Sequence, residues 1–354
     1  MRFVALSVLI ALLTPLCLSA GVEDEWRYIL SLDAGPKKRP TTRDEAELVA
    51  RNHLLVQRKA IEQFLLRYPG DQRAFDAKLR LARIKAAEGK MGNDQGKVDD
   101  ALRLLAELEK SSGVPREKLA DAGFARASLS MQNHTDNGER MRESVVWSAK
   151  NFTAKYPGDR RGPRLLVEAA TVCDDVPNQK RDLLEEALRL TGEEPLKRRI
   201  ADDLRRLDLL GKPLELKMSS VTGREIDLVK LRGNVVVVIF WSADSPHSLL
   251  WMRDFRSSWE TLPKDRLRVV TVSLDTRRET FNSRVRELHA DWPTHFDGLG
   301  WNGPIPRSLG INALPTVWIL DKKGILRSIN ARASYETWIG QLFLEEAPPS
   351  GSSR

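Results

Sequence analysis

Two hydrophobic periodicities divide the chain. From about Asp44 to Leu210, apolar residues recur at the three-and-four spacing of amphipathic helices, among many Ala, Leu, Arg and Glu residues and few β-branched runs. Gly211-Lys212-Pro213 ends that pattern with helix-stopping residues. Beyond it the pattern is that of strands. Leu214 to Lys217 and Arg224 to Leu228 flank Thr222-Gly223 as a hairpin. Asn234 to Trp241 is a continuous apolar, β-branched run, the signature of a strand buried on both faces. Further strands are predicted over Arg268–Leu274, Thr316–Leu320 and Ile325–Ile329, the last two joined by the turn Asp321-Lys322-Lys323-Gly324. Helices are predicted over Pro246–Leu262, Arg278–His289 and Tyr335–Glu345. This order calls for a central mixed sheet covered by helices.

The helical half carries an internal echo. Phe64-Leu65-Leu66-Arg67-Tyr68-Pro69-Gly70-Asp71 returns as Phe152-Thr153-Ala154-Lys155-Tyr156-Pro157-Gly158-Asp159, and Arg73 and Arg161 extend the match. Each copy predicts a helix ending at the tyrosine, a Pro-Gly turn, and an aspartate as N-cap of the next helix. The Phe and Tyr stand four apart, so they share one helix face. The copies lie 88 positions apart, which leaves room for a further hairpin with helices near 97–110 and 116–132. Another follows near 180–191 and 195–209. Four helix pairs of about 44 residues each form a short α-solenoid that loosely resembles tetratricopeptide-type arrays, although the spacing is longer than the ~34 residues of that repeat. A concave surface for protein partners and a spacer that positions the second half are both open readings of this region.

Composition adds two restrictions. Of 354 residues, 57 are Lys or Arg and 49 are Asp or Glu, and the resulting +8 is scattered along the chain. It forms no basic block, and no nucleic-acid signature or Gly-rich phosphate loop occurs, so no nucleic acid and no cofactor are expected. The two cysteines exclude a disulfide framework and a cysteine-rich zinc site. Cys17 lies in residues 1–20, where Arg2, the apolar run Phe3–Leu18 and the small residues Ser19 and Ala20 read as a signal peptide cleaved near Ala20. That run is too short for a comfortable membrane span, and Leu16 before Cys17 does not suit a lipoprotein acceptor. Export to the periplasm or cell envelope, or secretion, is therefore expected, with no transmembrane segment after cleavage; an uncleaved anchor is the alternative. The organisation expected is a signal peptide (1–20), an N-terminal segment and linker (21–43), a helical-repeat domain (44–210), an α/β domain (211–346) and a disordered tail (347–354).

The second half resembles the thioredoxin-like fold of redoxins and TlpA-type thiol–disulfide oxidoreductases. The resemblance is carried by Gly211-Lys212-Pro213, Leu231-Arg232-Gly233-Asn234, Phe240-Trp241-Ser242, Val272-Ser273-Leu274-Asp275, Phe296-Asp297-Gly298, Ala313-Leu314-Pro315-Thr316 and Ile319-Leu320-Asp321-Lys322-Lys323-Gly324. It implies a thioredoxin-like α/β domain with a central mixed sheet, and a cis-proline at Pro315 that faces the redox motif. The motif itself departs from the family. Where Cys-x-x-Cys is implied, this chain has Ser245-Pro246-His247-Ser248, and Ile239 stands where the family often has an acid. Dithiol exchange needs a thiolate and a resolving sulfur, so ordinary reductase activity is not expected.

Ser245 and Pro246 are the preferred N-cap and N1 residues of a helix. Capping is the expected role of Ser245, over a serine nucleophile with His247 as base; an anion or carboxylate held at the helix N-terminus beside His247 is a third reading. Cys173 is expected as a small buried apolar residue on a helix face, with Asp174 and Asp175 unfavourable to its thiolate. His295 and Asp297 lack a third ligand nearby, so no metal site is expected. The resemblance implies that main-chain groups beside Pro315 pair with an extended peptide, and Trp241, His247, Leu314 and Pro315 are the candidate binding residues; Trp292 and Trp301 are further candidates for the groove. The function expected is protein or peptide binding. The rival is a thiol–disulfide oxidoreductase or peroxiredoxin-like enzyme with a borrowed thiol or Cys173.

Overall fold

A computed structural model of the chain describes residues 21–133, 138–289 and 291–345. The expected signal peptide and the tail from 347 onward lie outside the described residues. The chain forms two compact units, residues 1–159 and 160–354, and the division falls well before the change of periodicity at Gly211.

The first unit is helical: α1 (Val22–Ser31), α2 (Arg43–Arg67), α3 (Ala74–Gly92), α4 (Gln95–Leu108), α5 (Arg116–Gln132) and α6 (Glu139–Lys155). From α1 to α6, each helix packs on the next. Ile61 and Phe64 of α2 meet Ile29 of α1 and Ala77 and Ile84 of α3 in one core cluster, while Leu79, Ala82, Val98, Leu105 and Leu129 form a second. Both echo sequences adopt the same corner. The helix ends at Arg67 or Lys155, the tyrosine N–H donates to the carbonyl of the phenylalanine four positions earlier at 2.9 Å, and the aspartate N–H donates to the tyrosine carbonyl at 3.1 Å. The aromatic pairs stand 5.4 Å apart for Phe64–Tyr68 and 5.2 Å for Phe152–Tyr156. Asp71 does not cap α3 as expected. Its Oδ1 accepts from Arg73 N at 2.8 Å and closes the turn, and Arg73 itself occupies the N-cap position.

The second unit begins with α7 (Gly162–Ala170), α8 (Pro177–Leu190) and α9 (Glu194–Leu209). The stop at Gly211-Lys212-Pro213 then runs beside the last strand of the domain: Gly211 N donates to Leu326 O at 2.8 Å, and Leu326 N to Lys212 O at 2.9 Å. The remaining elements are β1 (Lys217–Ser219), β2 (Glu225–Asp227), β3 (Val235–Trp241), α10 (Pro246–Trp259), β4 (Leu267–Ser273), α11 (Arg278–Glu287), β5 (Thr294–Phe296), α12 (Pro304–Leu309), β6 (Thr316–Leu320), β7 (Leu326–Ser328) and α13 (Tyr335–Leu344). β1 and β2 are a hairpin, and the main sheet runs β5-β4-β3-β6-β7. β3 is parallel to β4 and antiparallel to β6; β4 is parallel to β5, and β6 antiparallel to β7. This is the thioredoxin-like arrangement, with a mixed sheet centred on β3. All seven residues of β3 are buried, as a strand covered on both faces requires. The hairpin strand β1 starts at Lys217 instead of Leu214, because Leu214 is already held by Gly324 O at 2.9 Å. Neither β5 nor α12 is among the predicted elements.

Candidate functional site

The register of the sheet creates the site. Phe240 of β3 pairs with Thr316 of β6, so the loop leaving β3 and the loop entering β6 lie at the same end of the sheet. The first loop leads into α10 and the second contains a cis peptide bond at Leu314-Pro315, as the resemblance implies.

The loop leaving β3 is held by a buried carboxylate. Asp275 follows β4, and its Oδ1 accepts from Ser242 Oγ at 2.6 Å and from Ala243 N at 2.8 Å, while Oδ2 accepts from Ser273 Oγ at 2.6 Å. Ile239, where an acid is implied, is fully buried in the apolar core. The acid beside the loop is therefore Asp275, just past the neighbouring strand, and it is occupied by two serine hydroxyls and the Ala243 N–H.

At the start of α10, Ser245 is the N-cap and its Oγ accepts from Ser248 N at 3.2 Å, with Pro246 at the first helical position. Satisfying one free N–H of the first turn contributes about 1 kcal/mol. His247 is exposed. Ser248 is fully buried, and its Oγ has no hydrogen-bond partner among the described residues. The two motif positions thus hold one capping hydroxyl and one enclosed hydroxyl.

The predicted binding residues separate into two groups. His247 is exposed, Leu314 half-buried and Pro315 buried at the loop, and the Leu314 N–H finds no acceptor among the described residues. Trp241 does not belong with them. It is fully buried, its ring packs 6.0 Å from Phe281, and it offers no surface to a ligand. Trp292 is likewise buried, packed against Phe255 and Trp259, whereas Trp301 is 48% exposed. Period-two alternation does not separate a core tryptophan from a groove tryptophan in a strand that is buried throughout.

One contributor is absent from the sequence expectations. Helix α9 grips the segment before the cis-proline: Arg206 Nη1 donates to Gly310 O and Asn312 Oδ1, both at 2.6 Å, and its Nη2 pairs with Asp203. Asn312 Nδ2 returns to Asp203 Oδ1 at 2.9 Å. Burial pushes the Arg206 pKa below its ordinary value, against the opposing pull of Asp203, Asp202 and Asp174.

Cys173 lies in the turn after α7, not on a helix face, and is fully buried; its Sγ lies 3.4 Å from Ala169 O. His295 Nδ1 bonds Ser219 O at 2.8 Å and its Nε2 stands 3.8 Å from Asp297 Oδ2. No group of three or more metal-ligating side chains occurs among the described residues, and no described helix is long and apolar enough to cross a membrane.

No curated protein matches the chain. Among solved structures it is similar to the C-terminal domain of a proposed thiol–disulfide oxidoreductase from Bacteroides thetaiotaomicron, at 18% identity over 38% of this chain and 95% of that chain, with a TM-score of 0.35. The thioredoxin domain of a thiol–disulfide oxidoreductase from Bacteroides vulgatus matches at 18% identity over 38% and 97% of the two chains, with a TM-score of 0.34. A thiol–disulfide oxidoreductase from Bacteroides fragilis matches at 14% identity over 36% and 96%, with a TM-score of 0.31. Residues 211–329 match the family model of AhpC/TSA, so the thioredoxin-like domain in the second half of this chain is similar to the redoxins of that family.

Proposed function

We propose that the chain is an exported binding protein whose thioredoxin-like domain has given up dithiol chemistry and holds an extended peptide of a partner protein. The carrying observation is the state of the two motif positions: Ser245 Oγ is engaged by Ser248 N, and Ser248 Oγ is enclosed. Neither side chain supplies the thiolate or the resolving sulfur that exchange requires. Cys173, which forms no disulfide among the described residues, is buried. Peptide recognition has no such requirement. A strand can pair with the open main chain at Leu314, and the side chains of His247 and Leu314 are available beside it. Export rests on the layout of residues 1–20.

Insulin reduction tests the loss of chemistry. The wild-type protein is expected to stay at background, and turnover that persists in Cys173→Ala would refute the reading. The scaffold is tested by the Ser245→Cys, Ser248→Cys double variant. Ser245 as N-cap and Ser248 in the first turn have the Cys-x-x-Cys spacing at a helix start, so a bond reducible by dithiothreitol is expected. Binding is tested with a fluorescein-labelled neutral decapeptide of alternating Ser and Val. Its anisotropy should rise with wild-type protein and much less with Leu314→Arg.

A further inference from the structure

A second surface adjoins the cis-proline loop. Between α9 and α12 lies a broad depression of about 1050 Å³ whose walls include Arg198, Asp202 and Arg205 on one side and Trp301, Arg307 and Ile311 on the other. The walls are bonded together: Arg205 Nη1 donates to Arg307 O at 2.8 Å, and Arg206 holds the Gly310 carbonyl beneath them. The depression is thus a fixed feature of the second unit. It runs to Asn312, next to Ala313 and the cis Leu314-Pro315 bond.

Its charge is one-sided. Three guanidinium groups face a single carboxylate, and Asp202 is already paired with Arg205 at 3.1 Å. Arg198 and Arg307 are exposed and have no ion-pair partner among the described residues; Glu194, one turn before Arg198, pairs with Lys197. Trp301 exposes about half its surface in the same depression, with the apolar Pro304 and Ile311. Guanidinium groups recognise carboxylates through paired N–H donors, and an exposed tryptophan supplies contact area of low entropic cost.

We infer that this groove binds an acidic, extended segment of a partner protein, with carboxylates on Arg198 and Arg307 and an apolar side chain on Trp301. The inference rests on the peptide-binding reading above and extends it from the cis-proline loop onto α9. The segment would continue from the Leu314 main chain into the groove, so the helical region selects the partner by charge while the thioredoxin-like loop supplies strand pairing.

The test uses the full-length protein and three fluorescein-labelled decapeptides, of alternating Glu-Val, Ser-Val and Lys-Val, followed by anisotropy. The Glu-Val peptide should bind roughly tenfold more tightly than Ser-Val at low ionic strength, and the preference should collapse in about 0.5 M salt. Arg198→Glu with Arg307→Glu should remove the preference and leave Ser-Val binding unchanged. Arg198→Gln with Arg307→Gln serves if the charge reversal perturbs folding, and Trp301→Ala should weaken Glu-Val binding by itself. Equal binding of Glu-Val and Ser-Val, insensitive to these variants but weakened by Leu314→Arg, would overturn the acidic-groove assignment and leave the cis-proline-loop reading intact. Failure of all three peptides to bind would overturn both. Tight binding of heparin with no peptide binding would also overturn it, in favour of a polyanion surface.

Discussion

Gly310 meets two requirements that no other residue satisfies together. Its φ is +69°, and a Cβ there would stand 2.5 Å from the carbonyl oxygen of Asp202 on α9. Gly310→Ala must therefore adopt a left-handed backbone and push a helix away at once. We expect a loss of about 2 kcal/mol, read as a lower urea midpoint in a tryptophan-fluorescence titration; an unchanged midpoint would mean that α9 gives way freely. Gly310 is also the C-cap of α12. The approach of Asp202 comes from a residue far away along the chain and leaves no local trace. Ser245 is the opposite case. Its role depends on neighbours within one turn, so the Ser-Pro pair was enough to place the cap and the start of α10.

The Tyr-Pro-Gly-Asp corner repeats as an element, and in both copies the tyrosine and the basic residue before it reach one carboxylate: Tyr68 Oη and Arg67 Nη1 donate to Glu25 Oε1 at 3.4 and 2.5 Å, and Glu109 takes that place in the second copy. Glu109, buried at the end of α4, accepts from Tyr156 Oη at 2.9 Å and from Lys155 Nζ at 3.0 Å, and pairs with Arg126. A Cβ on Gly123 of α5 would stand 2.5 Å from the Tyr156 ring and 2.6 Å from Glu109 Oε1, so the bare backbone of α5 makes room for the pair. Burial alone would raise the Glu109 pKa, but the bonds from Lys155 and Tyr156 and the charge of Arg126 outweigh it and hold it below 4.5. Burial and the bond to Glu109 push the Tyr156 hydroxyl above its ordinary 10.0. The two shifts act at opposite ends of the pH scale. A lowered carboxylate stabilises the fold above about 4.5, and that contribution is lost as pH falls through the folded pKa. A raised phenol stabilises it below about 10, and that contribution fades as pH rises toward the folded value. Helix content followed by circular dichroism should show both losses, and Glu109→Gln should flatten the acid limb; an acid limb unchanged in that variant would remove Glu109 as its cause. The echo and the helix pairs were legible because they repeat at helical spacing. The Glu109 cluster was not, since its partners lie on different helices.

At the level of the whole molecule, the order of strands in the thioredoxin-like domain was legible from its apolar runs and turns, while β5 and α12 were not. Three residues are too few to show a period, and Pro304-Ile305-Pro306 does not read as a helix. The grouping of α7, α8 and α9 with the sheet was hidden too, because composition changes at Gly211 and the compact unit begins at Arg160. The enclosed Ser248 hydroxyl has a consequence for the stability of the domain. A buried hydroxyl without a partner costs about 1–3 kcal/mol relative to an apolar group of the same shape, and a thiol is close to such a group. Ser248→Ala should therefore raise the melting temperature, and a lower one would mean that the hydroxyl has found a partner in solution. Oxygen at this position is a small, continuing handicap. Ser248→Cys should therefore be tolerated by the fold, so stability does not decide between oxygen and sulfur at this position.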